Sequence, residues 1–252
     1  MKIYYEVEGK GPPLILAHGA TLNLDTWRKR GYANVLSNEF KLVLFDARGH
    51  GQSDKPHEPH AYGLNMADDV VAVLDDAKIS QAHYFGGSMG SKVGFWLATH
   101  HSKRFISFIL HGMSPYYSDA AVKQFQASIE IRRSFLADPE AFFRQREKDL
   151  GRLLTNEERD VFLTNDSEAL IAMQTSFCNT PSLTDRELSF ISVPCLLFCG
   201  DLDQYHAGAE EAAKHIQHST FVSFPGLNHG QALSRSDLVL PIVKKFLAEV
   251  NA

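Results

Sequence analysis

The pentad Gly86-Gly87-Ser88-Met89-Gly90 constrains this chain more than any other stretch of it. It reads G-x-S-x-G. It lies between the strand-like run Ala82-His83-Tyr84-Phe85 and a segment from Ser91 to His100, where Val93, Trp96 and Leu97 recur at helical spacing. A strand that enters a helix through so tight a turn holds one side chain at its crest, in a strained backbone conformation. Such a turn has no room for bulk, so glycines two before and two after the serine suit it. Ser88 is therefore expected at the carboxyl edge of a sheet with a helix amino terminus beneath it. Unpaired N–H groups and a partial positive charge favour an oxyanion there.

A serine hydroxyl is a poor nucleophile until a histidine takes its proton and a carboxylate orients that histidine. In hydrolases of the strand-turn-helix type the chain order is Ser, then Asp or Glu, then His. The apolar run Pro194-Cys195-Leu196-Leu197-Phe198-Cys199-Gly200 is followed by Asp201-Leu202-Asp203. The run Phe221-Val222-Ser223-Phe224, with its turn Pro225-Gly226, is followed by Leu227-Asn228-His229. Both polar sets come after a strand's carboxyl end, where ligand sites of open α/β sheets lie. Oxyanion donors are expected at the backbone N–H of Met89 and in the loop His18-Gly19-Ala20-Thr21, with Ala20 preferred over Thr21. Of the 12 histidines, His100 and His101 fall at a helix end, and His215 and His218 flank another. His57 and His60 lie in a proline-rich loop with no further ligands at metal-site spacing, so no metal is expected.

Strand-like runs at 2–8, 13–17, 41–46, 82–86, 105–110, 194–199 and 219–224 alternate with helical stretches at 64–77, 88–100, 207–217 and 238–249. Nearly continuous apolar strands are those of a parallel sheet covered on both faces. The alternation breaks between Pro115 and Pro194, where the signals are helical. Asp138-Pro139-Glu140 is an N-cap with proline at the first position. Thr155-Asn156-Glu157-Glu158 is a capping box. Phe125, Ile129 and Arg132-Arg133 belong to one helix and Ala169 to Phe177 to another.

Together, His18-Gly19, the stretch Asp46-Ala47-Arg48-Gly49-His50-Gly51-Gln52-Ser53, the GGSMG pentad, Gly200-Asp201-Leu202-Asp203 and Gly226-Leu227-Asn228-His229 resemble the α/β-hydrolase superfamily over most of the chain. The resemblance implies a triad of Ser88, Asp203 and His229. The acid usually stands three residues after the strand-ending glycine, which selects Asp203 over Asp201. It also implies that Asp46 and Arg48 are structural, and that a helical cap is inserted where the family has it, between that family's sixth and seventh strands. Relatives often carry one more strand ahead of the run at 2–8, so seven strands are expected here and not eight. The expected architecture is α/β: a mostly parallel seven-stranded sheet with helices on both faces. Residues 1–114 and 182–252 form the core, and 115–181 an inserted helical cap. The apolar cap residues Phe125, Phe142, Met173 and Phe177 are expected to line a closed apolar pocket over Ser88. Arg132, Arg133, Arg144 and Arg146 could reach a substrate carboxylate, but read more simply as solvated helix charges.

A length of 252 residues suffices for one such domain, and a net charge of −5 without a basic run argues against nucleic acid or an anionic membrane as partner. No signal peptide or membrane-spanning stretch is evident. Cys195 and Cys199 sit four apart on one strand, roughly 13 Å by strand rise, too far for a disulfide. With Cys178 they describe a reduced, cytoplasmic protein. The expected activity is that of a cofactor-independent serine carboxylesterase on small, short-acyl esters. The alternatives are an enol-lactone or carbon–carbon bond hydrolase of aromatic catabolism, a lyase or perhydrolase on the same triad, or a ligand receptor.

Overall fold

The computed structural model describes residues 1–117 and 119–252. Seven strands form one sheet in the spatial order β1-β3-β2-β4-β5-β6-β7. They are β1 (Tyr5–Glu8), β2 (Pro13–Ala17), β3 (Lys41–Phe45), β4 (Ala82–Gly87), β5 (Phe105–His111), β6 (Cys195–Gly200) and β7 (Ser219–Phe224). β1 pairs antiparallel with β3, and every other pairing is parallel. The first strand is shorter than the expected 2–8, and the others match their runs to within one residue.

Alternate residues of each strand serve opposite faces, as the pleat requires. Ile15, Val43, Tyr84, Phe108 and Leu197 pack toward α3 (Asn65–Asp76), α4 (Met89–His100) and α10 (His206–His215). Leu16, Leu44, Phe85, Ile109 and Phe198 pack toward α1 (Asp25–Lys29), α2 (Tyr32–Leu36) and α12 (Ser236–Val250). Both faces are thus covered, which is why the central strands read as nearly continuous apolar runs. Two short helices, α1 and α2, follow the loop after β2. Five residues each is too short for a periodic signal, and the sequence reading did not anticipate them.

Between β5 and β6 lie α5 (Asp119–Ala137), α6 (Pro139–Leu150), α7 (Asn156–Leu163), α8 (Ser167–Cys178) and α9 (Asp185–Ser189). The Asp138 carboxylate accepts the Ala141 N–H at 2.9 Å, so α6 begins where the capping signal puts it. Thr155 and Glu158 exchange the two bonds of a capping box at the start of α7. The hydrophobic packing does not divide at the expected domain boundary. Leu170, Met173 and Phe177 of α8 belong to the same buried cluster as one face of the sheet, and so does Leu188 of α9. A separate cluster of Phe135, Phe142, Phe143 and Leu154, with Phe162 against it, holds α6 and α7 to the end of α5. Two polar ties join this region to the loops below. His57 lies 3.0 Å from both Asp166 and Glu168, and the Asn165 amide donates to the Thr21 carbonyl at 3.1 Å. The three cysteines are free thiols, and no helix among the described residues is long and apolar enough to cross a membrane.

Candidate active site

The chain passes from β4 into α4 through Ser88, whose φ of 53° and ψ of −109° lie outside the regions L-residues favour. Its neighbours make the turn possible. A side chain on Gly86 would stand 2.5 Å from the Gly90 backbone, and one on Gly90 would run into the Ala17 carbonyl. The conformation is held from the next strand. The His111 carbonyl accepts the Ser88 N–H at 2.8 Å and the Ser91 hydroxyl at 2.8 Å. His111, at the end of β5, is thus a support that sequence reasoning missed.

Ser88 Oγ lies 2.9 Å from His229 Nε2, and His229 Nδ1 lies 2.8 Å from Asp203 Oδ2. The three groups come from three strand ends, after β4, β6 and β7. Asp203 is fully buried at its side chain, and its other oxygen accepts the Tyr205 N–H at 3.0 Å. Burial pushes its carboxyl up, but the His229 hydrogen bond and charge and the Tyr205 N–H outweigh that and leave it below the ordinary carboxylate value. His229 itself opens α11 (His229–Ser234), capped by Asn228 and Gln231. Gly112 leaves room for the pair. It has φ of 63°, and a side chain there would lie 3.0 Å from the His229 ring and 3.2 Å from the Asp203 carboxylate. The other candidate acid, Asp201, turns away and accepts the Gly226 N–H at 2.7 Å.

Among the described residues, neither the Met89 nor the Ala20 N–H finds a hydrogen-bond partner, and both residues border Ser88. Met89 is the first residue of α4, so the helix dipole adds to its N–H. The Ala20 loop is pinned by His18. This ring accepts the Ala47 N–H at Nε2, 3.1 Å, which leaves the proton on Nδ1 to donate to the Gly19 carbonyl at 2.8 Å. Burial pulls its pKa down, consistent with a neutral ring. Asp46 and Arg48 do structural work nearby. The Asp46 carboxylate accepts the Leu24 and Gln52 N–H groups at 2.8 Å each, and Arg48 forks onto Asp69 at 2.5 and 2.6 Å.

Two cavities meet at Ser88 and His229. One, of about 290 Å³, runs along the Gly19–Leu22 loop past Arg30, His111, Gly230 and Leu233. The other, of about 160 Å³, lies beneath α5 and α8. Phe125, Met173 and Phe177 line the second. Phe142 does not. Its ring packs among Phe135, Phe143 and Phe162, because α6 and α7 bury their apolar sides against each other and not against the site. Nor is the cavity wholly apolar, since Gln124, Ser128, Gln174, Gln204 and Tyr205 also line it.

Two buried cations were not legible as such. Arg132 is 3 % exposed, where a solvated helix charge was expected; Arg133 and Arg144 are exposed. Lys92, four residues after Ser88, is 1 % exposed, and its Nζ has no hydrogen-bond partner among the described residues. Its Nζ sits 3.9 Å from the Tyr117 ring centre, 4.0 Å from Phe177 and 4.8 Å from Phe125. Burial pulls its ammonium down to about 7. The folded state therefore binds fewer protons than the unfolded chain between pH 7 and the ordinary lysine value. The destabilisation is complete below pH 7 and fades as pH rises toward that value. Lys92→Met should raise the melting temperature at pH 6.5, with a gain of about 1–4 kcal/mol that shrinks by pH 9.5. An equal or larger gain at pH 9.5 would show that the buried charge is not the cause.

A family model described as "alpha/beta hydrolase fold" matches residues 12–165. The 3-oxoadipate enol-lactonase 2 of Acinetobacter baylyi is 28 % identical, covering 83 % of this chain and 79 % of its own. A non-heme haloperoxidase of Rhodococcus erythropolis is 25 % identical over 94 % of this chain and 93 % of its own. The crystal structure of the enol-lactonase from Burkholderia xenovorans LB400 superposes with a TM-score of 0.80 at 25 % identity, covering 98 % and 96 % of the two chains.

Proposed function

Since the chain belongs to the α/β hydrolase fold family, we propose that it is a cofactor-independent serine hydrolase that cleaves small carboxylic esters through an acyl-enzyme. One observation carries this reading: an unbroken hydrogen-bonded line from Ser88 Oγ through His229 to Asp203, at 2.9 and 2.8 Å, beside two unpartnered N–H groups. In this reading Ser88 attacks the ester carbonyl as His229 takes its proton. Asp203 fixes the tautomer that leaves Nε2 free to accept, and stabilises the imidazolium that forms. The Met89 and Ala20 N–H groups receive the oxyanion. His229 then protonates the leaving alkoxide and activates the water that clears the acyl group.

A lactone is a cyclic ester, and two of the relatives named above are enol-lactonases. Lactone opening by the same residues is therefore the second reading. A screen over p-nitrophenyl esters of rising acyl length, a lactone and a carbon–carbon substrate separates them. Absence of turnover on every ester and lactone refutes both.

We assign α5 and α8 the role of a cap over the site, which makes Met173 a gauge of acyl length. It is 1 % exposed and lines the smaller cavity. Activity should fall from short acyl esters toward long ones, without interfacial activation by lipid. Met173→Ala should move the optimum toward longer chains, with a gain of roughly tenfold for esters longer by two to four carbons. It should also cost about 2–5 kcal/mol of stability through the cavity it leaves. An unshifted acyl profile in the folded variant would remove Met173 from the acyl site.

A further inference from the structure

The larger cavity at Ser88 has a charge imbalance that ester cleavage alone does not require. Its lining is formed by Gly19–Leu22, Gly87 and Ser88, His111, His229, Gly230, Leu233 and Arg30, with no acidic residue among them. Arg30 ends α1 and is half-buried. Its side chain makes no hydrogen bond or ion pair with any described residue, unlike Arg28 two positions earlier, which holds Glu6, Glu8 and Asp25. The charge of Tyr32 bears on it, but the Tyr32 hydroxyl donates to the Leu233 carbonyl at 3.0 Å and is thereby occupied. Burial lowers the pKa of Arg30, the mark of a guanidinium losing water without gaining a counter-ion. Nor does His111 add a charge, because burial and the nearby His229 push its pKa down to about 4. Arg30 is the only Lys or Arg among the described residues of the lining.

We infer that the substrate bears a carboxylate on the half that occupies this cavity, and that the Arg30 guanidinium receives it. The inference rests on the ester-hydrolase reading above and narrows its substrate class. A partly desolvated guanidinium with its donors unspent is built for a bidentate oxyanion, and such charged pairs are among the stronger hydrogen bonds. One cation balances one negative charge. That favours a carboxylate over a phosphate monoester, whose second charge would go unmatched. Lys92 lies behind the ring wall of the other cavity and does not line this one. The two halves of the substrate are then sorted by charge. The neutral half goes under α5 and α8, and the anionic half goes toward Arg30.

The test compares pairs of esters of matched shape, one neutral and one carrying a carboxylate, with the charge placed on the acyl half in one pair and on the alcohol half in the other. The ratio of kcat/KM within a pair cancels any pH dependence the two esters share through the catalytic steps. The charged member of one pair should be preferred by roughly tenfold or more, Arg30→Met should erase that preference, and Arg30→Lys should restore part of it. Calorimetric titration of the Ser88→Ala protein with monomethyl glutarate reads the same contact without turnover, and Arg30→Met in that background should weaken binding by about tenfold. No preference in either pair, or a preference that survives Arg30→Met, overturns the inference and leaves the hydrolase reading standing. Failure of every ester to turn over, with monomethyl glutarate binding that still depends on Arg30, overturns the hydrolase reading and keeps the carboxylate site.

Discussion

Ser88→Ala is expected to lower ester turnover by about 10³-fold or more while the protein stays folded. The size follows from the arrangement. The oxygen removed is the nucleophile of the proposed mechanism, and His229 Nε2 then has nothing to deprotonate at 2.9 Å. Activity left over would come from the oxyanion donors and from binding alone. The fold should survive because the elbow is held by main-chain contacts, the His111 carbonyl on the Ser88 N–H and the Ser88 carbonyl on the Lys92 N–H. Alanine at a φ of 53° is strained no more than serine. Circular dichroism checks the fold, and a fluorophosphonate probe checks the nucleophile. The native protein should be labelled and the variant should not. Turnover within a fewfold of native in a folded Ser88→Ala protein would end the triad reading.

Asp203→Asn should be the second large effect, on the order of 10⁴-fold in kcat. Asparagine keeps the size of the side chain, but its amide can donate to His229 Nδ1. The imidazole then holds its proton on Nε2, the nitrogen that must accept from Ser88. Asp201→Asn is the matched control. Among the described residues its carboxylate accepts only the Gly226 N–H, in an exposed turn, a bond that an amide oxygen can also accept. A loss of no more than a fewfold is expected there. The kcat of the two variants on one chromogenic ester decides the acid, and a crippled Asp201→Asn beside an active Asp203→Asn would reverse the assignment.

The sheet was largely legible in the sequence because burial on both faces makes the central strands nearly continuous apolar runs, and the buried polar pair within them, His83 of β4 and Ser107 of β5, satisfies itself across the ladder at 2.8 Å. The geometry at Ser88 was legible for a different reason. A turn this tight excludes every side chain at Gly86 and Gly90, and that exclusion leaves a pattern in the chain. Gly112 is excluded just as firmly by the His229 and Asp203 side chains, but its constraint comes from groups about 90 and 120 residues away and leaves no local mark. The helices between β5 and β6 were legible by their caps, while the direction each face points was not. Phe142 and Met173 are equally apolar, and only the packing of α6 on α7 decides that one closes a separate cluster and the other meets the site. The same ambiguity covers charge. Arg132 and Arg133 are neighbours on one helix; little more than a quarter of a turn separates a buried guanidinium from an exposed one.

The aromatic cluster that ties α6 and α7 to the tip of α5 has a consequence for how such a chain can change over generations. Phe135, Phe142, Phe143 and Phe162 satisfy one another, so the stretch between Asp138 and Asn165 owes little of its cohesion to the sheet. It is a closed appendix spliced between two helices that do reach the site. Insertions, deletions or wholesale exchange there should be tolerated so long as the Asn165 tie to the Thr21 carbonyl re-forms at its exit. Innovation in outline is thereby uncoupled from conservation of chemistry. A lineage could lengthen this appendix to meet a new neighbour, or trim it away, while Ser88, Asp203 and His229 keep their places.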